Sequence, residues 1–144
     1  MTGCLAKRTT AQEVKKEKVT VVSWSSTEYD DGDCWKEANP TRLTVPEGAG
    51  GLYVIQWSVD ILPSSLSGEK EIWIRLNGDD NKRLGAQDYV GPADVQTITV
   101  QARLAVGDYV ECCIYLETTA GGETSKDEYG SGDDLNRVKF ELVR

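Results

Sequence analysis

Large apolar residues recur at every second position in several segments of this chain, and nowhere at the spacing of a helix face. The longest such segment lies within Arg42–Ile61, where Tyr53, Ile55, Trp57, Val59 and Ile61 alternate with positions that drift from Leu52 and Val54 to Gln56, Ser58 and Asp60. A period of two predicts a long strand with one face in a core. Pro46, Gly48, Gly50 and Gly51, just before it, exclude a helix there. The same alternation puts Ile72, Ile74 and Leu76 inward over 71–76, with Trp73 and Arg75 opposite, and Asn77-Gly78 closes that strand as a tight turn. Ile98, Val100, Ala102 and Leu104 point inward over 95–104, as do Val110, Cys112, Ile114 and Leu116 over 109–117. Val138, Phe140 and Leu142 do so over 137–143, and Val19–Trp24 and Leu43–Val45 supply shorter strands. Residues 25–40, 79–93 and 118–136 are rich in turn formers and acids and read as loops, with short strand only near Cys34-Trp35 and at Arg83-Leu84. Seven or eight strands without crossover helices predict an all-β fold, an antiparallel two-sheet jelly-roll sandwich.

At 144 residues the chain is long enough to bury one domain core without disulfide staples. No apolar run approaches the roughly 20 residues of a membrane span, so no membrane partner is expected. The opening MTGCLAKRTT has no apolar signal region, which predicts synthesis in a cytoplasm without a signal peptide. Charge divides the chain unevenly. The net charge is −8, yet residues 1–18 carry Lys7, Arg8, Lys15, Lys16 and Lys18 against Glu13 and Glu17. That contrast predicts a flexible, solvated basic arm over 1–18 and a head over 19–144. The acidic head repels phosphate backbones, so nucleic acid is not an expected partner.

Catalytic chemistry is poorly provided for. There is no histidine, no nucleophile elbow, no phosphate loop and no dinucleotide fingerprint, so the chain is not expected to be an enzyme. Cys4, Cys34, Cys112 and Cys113 lack the paired spacing of a zinc site. Cys112 reads as a small core residue; a Cys34–Cys113 bridge stays open, with reduced thiols the default. No cofactor is expected. Clustered acids suit calcium, and Asp30, Asp31 and Asp33 are the first candidates, ahead of Asp79-Asp80 and of Asp127, Glu128, Asp133 and Asp134. The competing reading, that these acids solubilise loops, is favoured.

Four pieces in order carry a family resemblance: TVPE…GGLYVI over 44–55, LNG at 76–78, LAVGDYV over 104–110, and the closing strand with Phe140 and Leu142. Together they resemble the tumour-necrosis-factor-like and complement-type globular-head jelly rolls, over about residues 40–144. Tyr29-Asp30 and Trp35, ahead of an Arg42–Pro46 strand, resemble the variant found in bacteriophage structural proteins. The resemblance implies a ten-strand sandwich forming a homotrimer. Trp73, Tyr109 and Tyr115, with Leu52, Val54 and Cys113, fall on the non-core faces of their strands, and a sheet apolar on both faces has its second face covered. A neighbouring subunit is the expected cover, making Trp73, Tyr109, Tyr115, Leu52 and Val54 a trimer interface; cover by loops or the arm of the same chain is the alternative. The function so implied is a virion one: a capsid decoration or cement protein on the outer shell, docked on the major capsid protein or another virion protein through Lys7, Arg8, Lys15, Lys16 and Lys18. The alternative is a receptor-binding adhesin head that uses the loop aromatics Tyr29, Trp35, Tyr89 and Tyr129 on a host glycan or protein. A secreted trimeric ligand stands third.

Overall fold

The structure, a computed structural model, describes residues 1–62, 68–90, 95–117, 120–125 and 136–143. All regular structure among them is strand: β1 (Gly3–Lys7), β2 (Glu13–Val14), β3 (Thr20–Val21), β4 (Ser26–Asp31), β5 (Leu43–Thr44), β6 (Gly51–Val59) and β7 (Ile61–Leu62). There follow β8 (Glu69–Leu76), β9 (Asp79–Val90), β10 (Gln96–Leu104), β11 (Tyr109–Glu117), β12 (Gly122–Thr124) and β13 (Asn136–Val143). One sheet runs β10-β6-β13-β1-β4; the other runs β3-β11-β8-β9, with β5 also paired to β11; β2-β12-β7 form a small third sheet. Every pairing is antiparallel.

The long central strand is β6, flanked by β10 and β13 along its whole length. Its period-two residues Tyr53, Ile55, Trp57 and Val59 are all fully buried. Tyr53 stacks on Phe140 with ring centroids 4.5 Å apart and donates its hydroxyl to the Ala49 carbonyl at 2.8 Å. Trp57 donates its indole N–H to Asn136 Oδ1 at 3.1 Å, so both large rings keep their polar ends satisfied inside the core. The second sheet meets them with Ile72, Ile74, Val110, Cys112, Ile114 and Leu116, again the predicted set. Asn77 and Gly78 both take positive φ, 54° and 72°, and form the two-residue connection in which Leu76 pairs with Asp79.

Several expectations change: residues 25–40 hold the strand β4 and no strand at Cys34-Trp35, and β12 falls in the stretch read as loop over 118–136. Residues 1–18 are not a solvated arm. β1 lies between β13 and β4, with Cys4 opposite Phe140, Ala6 opposite Val138, and Cys4, Leu5 and Ala6 all buried. Val14 is buried as well. Small Cys4 and Ala6 fit beside Phe140 and Val138, so the N-terminal strand is an interior strand of the first sheet. Residues 79–90, read as loop apart from Arg83-Leu84, form the long edge strand β9. Its charged residues suit an unpaired edge. The core tightens where β9 crosses β10: a Cβ on Gly85 would lie 2.3 Å from Val100 Cγ1. Gly85→Ala is therefore expected to cost about 1–3 kcal/mol through overpacking, read as a fall in Tm. An unchanged Tm would contradict the close approach.

Candidate functional surfaces

The residues expected at a subunit interface divide between opposite sides of the sandwich. Leu52 and Val54 lie on the outer side of the first sheet, whereas Trp73, Tyr109 and Tyr115 lie on the outer side of the second. The second sheet's outer side is closed by the chain itself. Trp73 is 1% exposed: the Arg83 guanidinium sits 4.0 Å over its ring, and its indole N–H donates to Asp80 Oδ1 at 3.1 Å. Arg75 donates to that same Asp80 oxygen at 3.0 Å and, from Nε and Nη2, to Glu111 Oε1 at 3.2 and 3.1 Å. Thr41 donates to the other Glu111 oxygen, and Arg83 pairs with Glu71 at 2.7 Å. Burial raises the Asp80 carboxyl, but the bonds from Arg75 and Trp73 outweigh it and hold the group below its ordinary range. Cys113 lies fully buried in this side, and burial pushes its thiol up to about 12; such a thiol is inert at neutral pH. Trp73 is thus covered by its own chain, where a neighbouring subunit was the expected cover. Tyr109 is half-buried beneath Arg42, 4.2 Å from its ring centroid, and Tyr115 is half-buried.

The first sheet's outer side is different. Leu52 and Val54 stand half-exposed beside the exposed Val143, and along β10 Thr97, Thr99, Gln101 and Arg103 all face outward and are exposed. Charges of both signs stand among them, with Arg103 opposite Leu52, Glu141 opposite Val54 and Lys139 opposite Gln56. On this side Ser58 and Thr97 share a hydrogen bond at 2.9 Å, and Lys139 lies 3.8 Å from Glu141.

The basic positions separate too. Lys7 pairs with Glu28 at 3.5 Å, and Arg8 folds its guanidinium onto the Ser23 and Thr10 carbonyls. Lys15, Lys16 and Lys18 are exposed together on the turn after β2, with Lys15 3.9 Å from Glu13. Three basic side chains remain presented to solvent, on a turn instead of an arm.

Among the acids, Asp30 caps a turn: its two oxygens accept the Cys34 and Trp35 N–H groups at 2.7 and 3.2 Å, and Trp35 donates its indole N–H to the Pro40 carbonyl at 3.0 Å. The Tyr29-Asp30…Trp35 motif is therefore structural. Asp31 and Asp33 are exposed and form no ligand group with Asp30. Asp79 accepts the Asn81 N–H, and Asp80 is held by Arg75. Asp127, Glu128, Asp133, Asp134 and Tyr129 lie outside the described residues. Cys34 lies beside Cys4, not Cys113: the Cys4 and Cys34 sulfurs and an Asp30 oxygen lie within 4.8 Å of one another. Cys34 and burial, with Asp30 and Glu141 adding, push the Cys4 thiol well above its ordinary range. No local pattern signals this trio, because Cys4 and Asp30 meet only through the pairing of β1 with β4.

A cleft of about 460 Å³ opens at one end, lined by Asp33, Cys34, Lys36, Arg42, Glu47 and Tyr109 among others. Among the described residues, the loop aromatics do not assemble there. Tyr29 sits in β4 opposite Leu5, while Trp35 and Tyr89 pack on the core.

No protein-family model and no curated protein matches the sequence. Solved structures do. The globular domain of zebrafish complement 1qA protein is similar at 11% identity and a TM-score of 0.63, covering 100% of this chain and 98% of that one. Rabbit GITRL is similar at 15% identity and a TM-score of 0.51, with 98% and 94% covered. At these identities the likeness shows the fold: an all-β, antiparallel jelly-roll sandwich of the complement and tumour-necrosis-factor type.

Proposed function

We propose that this protein is a non-enzymatic virion component, a homotrimeric jelly-roll head that decorates the outer shell of a bacteriophage capsid and cements it. The carrying observation is the contrast between the two outer sides of the sandwich. The second sheet is sealed by Arg75, Asp80, Glu111 and Arg83 of its own chain; the first leaves Leu52 and Val54 half-exposed and Val143 exposed. Self-association through that face agrees with the fold. A closed three-fold ring also ends growth without leaving an unsatisfied copy of the contact. The phage setting is supported by the Tyr29-Asp30, Trp35 and Arg42–Pro46 resemblance.

Docking is assigned to the turn carrying Lys15, Lys16 and Lys18, which suits an acidic patch on the major capsid protein. A protein that binds only assembled shell stabilises it by mass action. The test is co-sedimentation with, and imaging of, particles that lack the protein. Wild-type chain is expected to add ordered density on the shell, and a Lys15→Glu/Lys16→Glu/Lys18→Glu variant that still folds is expected to lose it. Unchanged binding by that variant would exclude the turn, and no density with wild type would exclude decoration. The end cleft, where Arg42 stacks on Tyr109, favours receptor recognition as a second reading. There Arg42→Ala would abolish host-surface binding while leaving capsid binding intact.

A further inference from the structure

Cys4, Asp30 and Cys34 meet because two distant segments pair. β1 sets Cys4 directly opposite Asp30 of β4, and the alternation that buries Ala6 turns Cys4 inward too. Asp30 then bends the following chain back by accepting the Cys34 and Trp35 N–H groups, which delivers Cys34 to the same place. The result is two buried thiols and a half-buried carboxylate with one ligand atom from each within 4.8 Å of the others. Small core cysteines are common and need no ligand. A carboxylate directed at two of them is not apolar packing, and among the described residues no other group of three such side chains comes so close.

We propose that Cys4, Asp30 and Cys34 bind one divalent cation of the zinc class. Zinc–sulfur bonds of about 2.3 Å and zinc–oxygen bonds of about 2.0–2.2 Å place the ligand atoms of a tetrahedral site about 3.6–3.8 Å apart, so closure needs side-chain shifts of about 1 Å. Each Asp30 oxygen keeps lone-pair capacity beyond the backbone bond it already accepts. Cys34 also lines the end cleft, which gives a route for the ion and a water for the fourth position. On binding, each thiol releases its proton to solvent; the ion stays divalent and no electron moves. Two sulfur ligands select against calcium and magnesium, which require all-oxygen shells. Because the ligands lie on β1, β4 and the turn after it, the ion would tie the N-terminal strand to its neighbour and add its binding energy to the folded state.

The test uses the full chain, reduced and stripped with a chelator, titrated with cobalt(II) as a coloured substitute for zinc. Thiolate-to-cobalt charge transfer and intense tetrahedral d–d bands are expected to saturate at one ion per chain, to vanish on adding zinc, and to persist in excess calcium. Cys4→Ala and Cys34→Ala are each expected to abolish the bands, and Cys112→Ala/Cys113→Ala to keep them. Should either single variant unfold, the wild type still decides: zinc at about 100-fold over its Kd is expected to raise Tm by roughly 5–15 °C, and calcium to leave it unchanged. Absent bands in folded, reduced wild type, bands that survive the loss of Cys4 or Cys34, or a Tm indifferent to zinc would each overturn the assignment. So would a Cys4–Cys34 disulfide that forms in air despite bound zinc.

Discussion

A chain lacking residues 1–8 is expected to lose its cooperative fold. β1 is hydrogen-bonded on both sides, to β13 and to β4, and its removal strips the N–H and C=O groups of both neighbours at once. Cys4, Leu5 and Ala6 leave the core, uncovering Phe140 and Val138 along an open sheet edge. β4 loses its sole partner in the described sheet order. The total stability of a domain this size is about 5–15 kcal/mol, and losing an interior strand removes an amount of that order. The truncated chain should be insoluble or molten, with an exposed β13 edge that invites aggregation. Circular dichroism and thermal melts of the two lengths read this directly. A soluble truncated head with unchanged Tm would restore the solvated-arm reading.

Arg75→Ala is expected to destabilise the chain by about 3 kcal/mol, the low end for breaking a buried ion pair. Glu111 and Arg75 side chains are 8% and 14% exposed, and Glu111 accepts two bonds from Arg75. Deleting the guanidinium leaves the carboxylate in the protein with Thr41 still donating to it. The same deletion takes one of the two side-chain donors from Asp80 Oδ1, the other being the Trp73 indole. Arg75→Met/Glu111→Leu should recover much of the loss, since the buried Glu111 carboxylate goes with the guanidinium, while Asp80, the more exposed acid, keeps solvent and the Trp73 indole. Chemical denaturation of both singles and the double gives the coupling energy. Coupling near zero would mean that this lattice does not hold the second sheet's outer side closed.

The long strands were legible because their partners are large and their alternation unbroken: Tyr53 to Val59, Ile72 to Leu76 and Val110 to Leu116 declare one face each. β1 was not, because Cys4 and Ala6 are small, the strand has five residues, and the partner that accepts it, β13, lies at the far end of the chain. Edge position hid β9, whose charges suit solvent. Alternation correctly put Trp73 and Cys113 opposite the core, but it says nothing of what covers that side. The cover depends on Arg75, Asp80, Arg83 and Glu111 meeting across three strands. Cys4, Asp30 and Cys34 come together only if β1 pairs with β4. The four-residue step from Asp30 to Cys34 was the one local sign that this carboxylate served a turn.

Self-association through the open side of the first sheet is tested most directly by sedimentation equilibrium of the purified full chain at micromolar concentration, alongside Val54→Arg. Wild type should sediment at three times the 15.8 kDa chain mass, and Val54→Arg, still folded by circular dichroism, at the mass of one chain. A wild-type mass of a single chain at tens of micromolar would contradict the assembly.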